Sequence, residues 1–215
     1  MSDVVNPSRR AYRSPRREEQ ARETRRAVRE AAHRQFLDKG YARTTIGAVA
    51  AEAGVSVETV YKAFGNKAGL AKAVVDVAIV GEDEAVPMLQ RELVRRIEAE
   101  PDARRKLSVY GDHVAAVGSR TGPLLLVVRA AAATDPGAAQ VWDQLQSERI
   151  TGMTLFARHL AEGGHLRKGV SVNEARDVLW AHNSVELWDL LVGQRRWTNS
   201  RFGRWVGQQL AAAVL

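Results

Sequence analysis

Few residues in this sequence stand at spacings that support bond-making chemistry. His182 and Glu186 are four apart, as two metal ligands on one helix face would be. No third ligand stands at a matching interval, so an ordinary helix-surface pair accounts for them. His159 and His165 are six apart, which is not a ligand spacing on a single helix. The chain has no cysteine, which removes disulfides, thiolate metal sites, iron–sulfur clusters and cysteine nucleophiles. It also has no G-x-S-x-G, H-E-x-x-H, Walker loop or Rossmann glycine pattern. No catalytic residue, metal or cofactor is therefore assigned, and an enzyme is not expected. The chemistry that remains is charge. Residues 1–70 hold 14 basic and 8 acidic side chains, whereas residues 71–215 hold 18 and 17, so most of the net charge of +7 sits in the amino-terminal third. Its sharpest cluster is Arg9, Arg10, Arg13, Arg16 and Arg17, interspersed with Pro7 and Pro15. Such an arm is expected to be disordered when free, and it suits a polyanion if it is more than a solvated tail.

The second informative segment is TTIGAVAAEAGVSVETVYKAF, Thr44 to Phe64. Two short helices that cross tightly need a small residue where their backbones meet, a residue tolerant of positive φ in the turn, and apolar residues in the angle. Ala50 supplies the first and Gly54 the second. Ile46, Val49, Ala53, Val55 and Val60 supply the third. Ser56 stands where an N-cap opens the second helix, so that its side-chain oxygen can accept a backbone N–H. That helix presents Val57, Glu58, Thr59, Tyr61 and Lys62 outward and turns Val60 and Phe64 inward. A plain helical hairpin would use the same caps, but not the basic flanks.

The stretch Gly40 to Leu70 resembles the DNA-binding domain of TetR-family transcriptional regulators. The marks are Gly40-Tyr41, Thr44-Thr45, the turn Ala53-Gly54-Val55-Ser56, then Thr59-Val60-Tyr61 with Phe64, and Lys67. The resemblance implies that the third helix enters the major groove, with Val57, Glu58, Thr59 and Lys62 facing base edges. It assigns Tyr61, Thr44, Thr45 and Lys67 to phosphates; Ser56 at the helix start and, by their charge, Arg13, Arg16 and Arg17 of the arm complete the DNA-binding candidates, the arm ordering on DNA in the minor groove. Two departures stand out: Glu58 is acidic on the groove face, where it can accept from a cytosine amino group, and Ala68-Gly69 replaces a usual Glu-Ala pair. The implied organisation is a basic arm over 1–17, a helix-turn-helix domain over 18–66, and a helical effector-binding and dimerisation domain over 67–215.

The elements that must position these residues are all helical. Helical periodicity is nearly continuous and no sustained period-two alternation occurs, so the fold class is all-α. Helices are expected from about Arg17 to Lys39, over 45–53 and 57–64, and from Asn66 to Gly81. One more begins near Pro87 and ends by Pro101. Further helices are expected over 102–118, 123–133, 137–162, 172–193 and 199–213, with breaks at glycines and at Asp135-Pro136-Gly137. Within the apolar stretches, Tyr110, His113, Trp142, Met153, Phe156, Trp180, His182 and Asn183 are candidates to line a ligand cavity; each also suits an ordinary core position. The last two helices carry more apolar surface than one side of each can bury. Val185, Trp188, Leu191, Val192, Phe202, Trp205 and Val206 are therefore assigned to a two-fold dimer interface built as a four-helix arrangement.

At 215 residues the chain is long enough for one or two domains with a self-sufficient core. Its longest apolar run, Gly122 to Val128, is far short of the roughly 18 residues a membrane span needs. A cytoplasmic protein without a membrane partner is expected. The leading function is a homodimeric regulator that binds an inverted-repeat operator in double-stranded DNA. It is expected to act as a repressor released by a small hydrophobic or aromatic effector. The alternatives are an architectural DNA-binding protein, which leaves the 145 near-neutral residues unexplained, and an all-helical enzyme with an incidental basic tail. Deleting residues 1–17 should lower duplex affinity and flatten its salt dependence without altering helix content, by analogy with counterion release from phosphate contacts. A binding curve unchanged at low salt would return the arm to a solvated tail.

Overall fold

A computed structural model describes residues 15–81 and 92–215. The order is α1 (Pro15–Arg43), α2 (Ile46–Ala53), α3 (Val57–Phe64), α4 (Lys67–Val80), α5 (Glu92–Ala99), α6 (Ala103–Ala132), α7 (Pro136–Glu162), α8 (Val172–His182), α9 (Val185–Trp188) and α10 (Asn199–Val214). A π-helical turn, Asp189–Gln194, follows α9. No strand occurs among the described residues. Arg9, Arg10, Arg13 and Pro87 lie outside them. Because α1 already begins at Pro15, Arg16 and Arg17 belong to a helix and not to the arm in which they were placed.

Most helix starts are set by side-chain caps legible in the sequence. Asn66 accepts from the Gly69 amide at 2.8 Å, Asp102 from Arg105 at 2.8 Å and Asp135 from Ala138 at 2.9 Å. Gly40, expected to stop the first helix, does interrupt it at φ 76°, ψ 168°.

Two apolar cores lie along the molecule. One joins α1–α4 (Val28, Phe36, Val60, Leu70) to Leu124 and Val128 of α6 and Val141 of α7. It therefore crosses the expected boundary between head and body. The other joins α5, α7, α8 and α10 to the opposite half of α6, around Leu107, Phe156, Leu179 and Phe202. Both cores draw on α7 and share α6 as their spine. At its start, buried Lys106 gives hydrogen bonds to the Ile97 carbonyl of α5 and to His159 Nε2 of α7.

Three expectations are corrected here. The break at Gly118 does not occur: α6 runs through Gly118, Gly122 and Pro123 as one helix of 30 residues. Gly118 and Gly122 are seats for the Trp188 indole, which a Cβ at either position would overlap. Conversely, the single helix expected over 172–193 is interrupted at Asn183-Ser184, where Ser184 caps a new start by accepting from the Leu187 amide. That break separates His182 from Glu186. The His182 ring bonds the Val178 carbonyl at 2.8 Å, while Glu186 pairs with Arg129 at 3.0 Å. Lastly, Phe202 and Val206 are wholly buried within the protomer and Val185 nearly so, which withdraws them from an intersubunit face. Trp188, Leu191, Val192 and Trp205 are half-buried, and neighbouring Leu190 is 50% exposed.

Helix α10 meets α6 through glycines. A Cβ on Gly111 would collide with the Gly203 carbonyl and the Gly207 amide, both backbone groups that no rotamer change can move. Gly111→Ala should thus cost about 1–3 kcal/mol and lower the melting midpoint by several degrees. Gly47→Ala, at an open helical position, should be neutral or stabilising by up to about 1 kcal/mol. Thermal melts of the two variants check the pair; equal midpoints would mean that the glycine seam is not tight.

Candidate nucleic-acid interface

The α2–turn–α3 unit is built from local hydrogen bonds. Thr45 caps α2 by accepting from the Ala48 amide at 3.1 Å. Gly54 takes the left-handed conformation (φ 68°, ψ 30°), and the Val55 amide returns to the Ala50 carbonyl at 3.0 Å. Ser56 opens α3, accepting from the Thr59 amide at 3.1 Å and sharing a hydrogen bond with the Thr59 hydroxyl at 2.9 Å. Val60 is fully buried and anchors α3 in the first core. The outward face is then Val57 (43% exposed), Glu58, Tyr61 (50% exposed) and Lys62.

The bracing of α3 comes from residues distant in sequence. Arg25 of α1 donates to the Ala63 carbonyl at 2.8 Å and lies over the Phe64 ring at 4.8 Å. It completes the C-terminal end of α3 with a cation, the sign that a helix terminus of that polarity favours. Arg34 and Gln35 both hold Glu52, at 2.8 and 2.7 Å, fixing α2 against α1. None of these three was singled out from sequence, because no local pattern links positions 17 to 38 residues apart.

The expected DNA-facing residues divide. Ser56, Val57, Glu58, Tyr61 and Lys62 share one exposed surface, with Thr45 exposed at the start of α2. Thr59 is half-buried and its hydroxyl is engaged by Ser56, so its methyl group is what it offers a base edge. Thr44 is a correction: it is only 2% exposed and donates to the Gly40 carbonyl at 2.9 Å, closing the kink after α1 instead of reaching outward to a phosphate. Lys67 is also drawn back. Its ammonium donates to the Ala42 carbonyl at 3.2 Å and rests 4.2 Å above the Tyr41 ring. Burial lowers its pKa, opposed by the charge of Asp135. The same surroundings, burial first and Asp135 second, push the Tyr41 hydroxyl up to about 12. Arg16 and Arg17 are exposed in the first turn of α1, and Arg13 is outside the described residues.

The candidate ligand residues are partly gathered. Tyr110 donates to Met153 Sδ at 2.9 Å, meets Phe156 edge-on at 5.1 Å and stacks near His113 at 6.4 Å. Trp180 and Asn183 join this group through Arg149, which sequence reasoning passed over. His182 instead lies beside Trp205, and Trp142 packs against the first core, so neither belongs with them. A cavity of about 40 Å³, bordered by Val114, Thr121, Leu125, Asn183 and Trp188, lies between α6 and the α8–α9 break. That is room for a water molecule or two, well below the roughly 300 Å³ of a ligand pocket.

Comparison with known proteins follows this division between head and body. Residues 28–74 match the family model described as bacterial regulatory proteins, tetR family. Over 61 residues the chain is 46% identical to the HTH-type transcriptional regulator TtgR of Pseudomonas putida, covering 28% of this chain and 29% of that protein's length. The fold as a whole resembles NalD of Pseudomonas aeruginosa, described as the secondary repressor of the MexAB-OprM multidrug efflux pump. The TM-score is 0.71 at 18% identity, over 91% of this chain and 98% of that one. It also resembles FadR of Bacillus subtilis in complex with stearoyl-CoA, with a TM-score of 0.67 at 16% identity, over 88% and 99% of the two chains.

The exposed face of α3 leads to a paired expectation. Tyr61→Phe, which deletes one hydroxyl from an exposed ring, should weaken specific and random duplex binding by the same factor. Glu58→Gln should instead change which base pairs are preferred. Fluorescence anisotropy against a selected site and random duplex separates the two, and a change of base preference in Tyr61→Phe would reverse the assignment.

Proposed function

We propose that this chain, whose residues 28–74 match the tetR family of bacterial regulatory proteins, is a homodimeric cytoplasmic repressor. It binds an inverted-repeat operator in double-stranded DNA and leaves it when a small molecule occupies the helical body. The observation that carries this reading is the exposed Val57-Glu58-Tyr61-Lys62 face of a short helix whose two ends are held by Ser56 and Arg25. One such helix reads too few base pairs alone, and a two-fold dimer doubles the site with a fixed spacing between halves.

The continuity of the first core supports effector control. Helix α4 packs against α6 and α7 in the first core, and at its C-terminal end Arg120 of α6 donates to the Ala78 and Ile79 carbonyls at 3.1 and 3.0 Å. Midway, Lys72 bridges Asp76 at 2.6 Å and Glu148 of α7 at 3.1 Å. A ligand that displaces α6 or α7 moves α4 and hence α3. The described cavity is too small for such a ligand, so occupancy requires α8 and α9 to part from α6. An effect of this kind amounts to about 1–3 kcal/mol of coupling.

Selection of bound duplexes from a random pool tests the reading. A short inverted repeat should be recovered and bound at least about a thousandfold more tightly than random duplex. Recovery of no consensus would favour an architectural role. For the assembly, Leu190→Glu places a charge on an exposed apolar position and should give a monomer by sedimentation, with loss of operator affinity. A persistent dimer would place the interface elsewhere.

A further inference from the structure

Arg149, in the middle of α7, is a largely buried cation with no carboxylate within 4.0 Å among the described residues. The acidic group that acts on it is Glu186, but that carboxylate is paired with Arg129 at 3.0 Å. Two guanidinium groups therefore share one carboxylate. Burial is the main influence on Arg149 and disfavours its charged form.

Part of the side chain has a structural explanation. Its Nη1 donates to the Trp180 carbonyl at 3.3 Å and to the Asn183 carbonyl, completing the C-terminal end of α8, and Nη2 donates to Gln146 at 2.6 Å. That role does not account for Nε, which is buried without a partner. The guanidinium lies 4.4 Å over the Trp180 ring, and the Trp180 indole N–H is likewise buried and unpartnered. Beside them, the fully buried Tyr110 hydroxyl donates to the thioether of Met153, a weak acceptor, and its oxygen is approached by the Asn183 side-chain amide, a further donor. The cluster is thus rich in N–H and O–H donors and poor in acceptors. Each orphaned buried donor costs free energy that an acceptor would recover, and an anionic acceptor recovers the most.

From this imbalance we infer that Arg149, Trp180 and Tyr110 form the anion-recognising end of a site for a carboxylic acid with an apolar body. Asn183 links this end to the cavity between α6 and the α8–α9 break, where Val114, Leu125 and Trp188 give apolar surface beside Thr121 and Ser184. The carboxylate meets the donors and the hydrocarbon portion enters by widening the seam at Asn183-Ser184. The inference rests on the reading of the body as an effector domain, and it replaces a purely hydrophobic effector with an amphipathic acid.

The test uses the full chain and matched probes: benzoate, naphthoate and octanoate, each against its amide. Calorimetry and tryptophan fluorescence should show saturable binding of at least one acid, at least about tenfold tighter than its amide, the range set by a charge-assisted hydrogen bond. Arg149→Gln should abolish that preference, and Arg149→Lys should keep part of it. The acid–amide comparison in the unmodified protein stands even if Arg149→Gln fails to fold. Equal binding of acid and amide, or no binding of any acid, overturns the inference. Operator affinity measured alongside separates the two proposals. An amide that binds as well as its acid and weakens operator binding sinks the anion site and keeps effector control. An acid that binds through Arg149 with operator affinity unchanged does the reverse.

Discussion

The fold depends on α6 remaining one helix across Gly118, Gly122 and Pro123. Proline lacks the N–H that would bond back to Ser119 and normally costs a helix interior about 3 kcal/mol. Here the helix is held by what surrounds it. Leu124 and Val128 are locked in the first core, Leu107 and Val114 in the second, and the Trp188 indole covers the two glycines between. The Thr121 hydroxyl donates to the Val117 carbonyl at 2.8 Å within the same stretch. Were α6 to bend there, the two cores would lose the spine they share, leaving α7 alone to join them.

The coupling between head and body is polar where it could have been apolar. Lys72 with Asp76 and Glu148, and Arg120 on the end of α4, are directional contacts at the margins of a greasy core. Apolar surfaces slide past one another at little cost, whereas hydrogen bonds between helices fix a register and break within a short displacement. Such a joint has discrete arrangements, which a two-state regulator requires.

How much of this was legible in the sequence follows the range of the forces involved. Ser56 and Gly54 act on backbone groups within four residues, and the structure finds each in its expected role, while Asn66 and Asp135 cap their helices by the same short-range chemistry. The outward face of α3 was legible for the same reason. Thr44 was misplaced because its partner, the Gly40 carbonyl, becomes available only once the kink forms. The break expected at Gly118 and the continuous helix expected through Asn183 fail together: glycine is punctuation only where nothing packs against it, and Trp188 packs there. Phe202 and Val206 looked like surplus apolar surface because the glycine contact that draws α10 onto α6 is visible only in three dimensions. Arg25 and Arg149 escaped notice since their partners are backbone carbonyls, which leave no mark in a sequence.

The glycine seam between α6 and α10 has a mechanical meaning. Backbone against backbone offers no rotamers to adjust, so the two helices form a stiff bar that transmits a push without absorbing it. The α8–α9 side, where α8 stops at Asn183 and a wide-wound turn follows α9, is instead segmented into short pieces, with the two-residue break Asn183-Ser184 between α8 and α9. Compliance in the body is thereby concentrated on one side of the spine. Under the effector control proposed above, a ligand that pried that side open would work against a rigid back, and the displacement would pass along the bar instead of being lost in a general loosening.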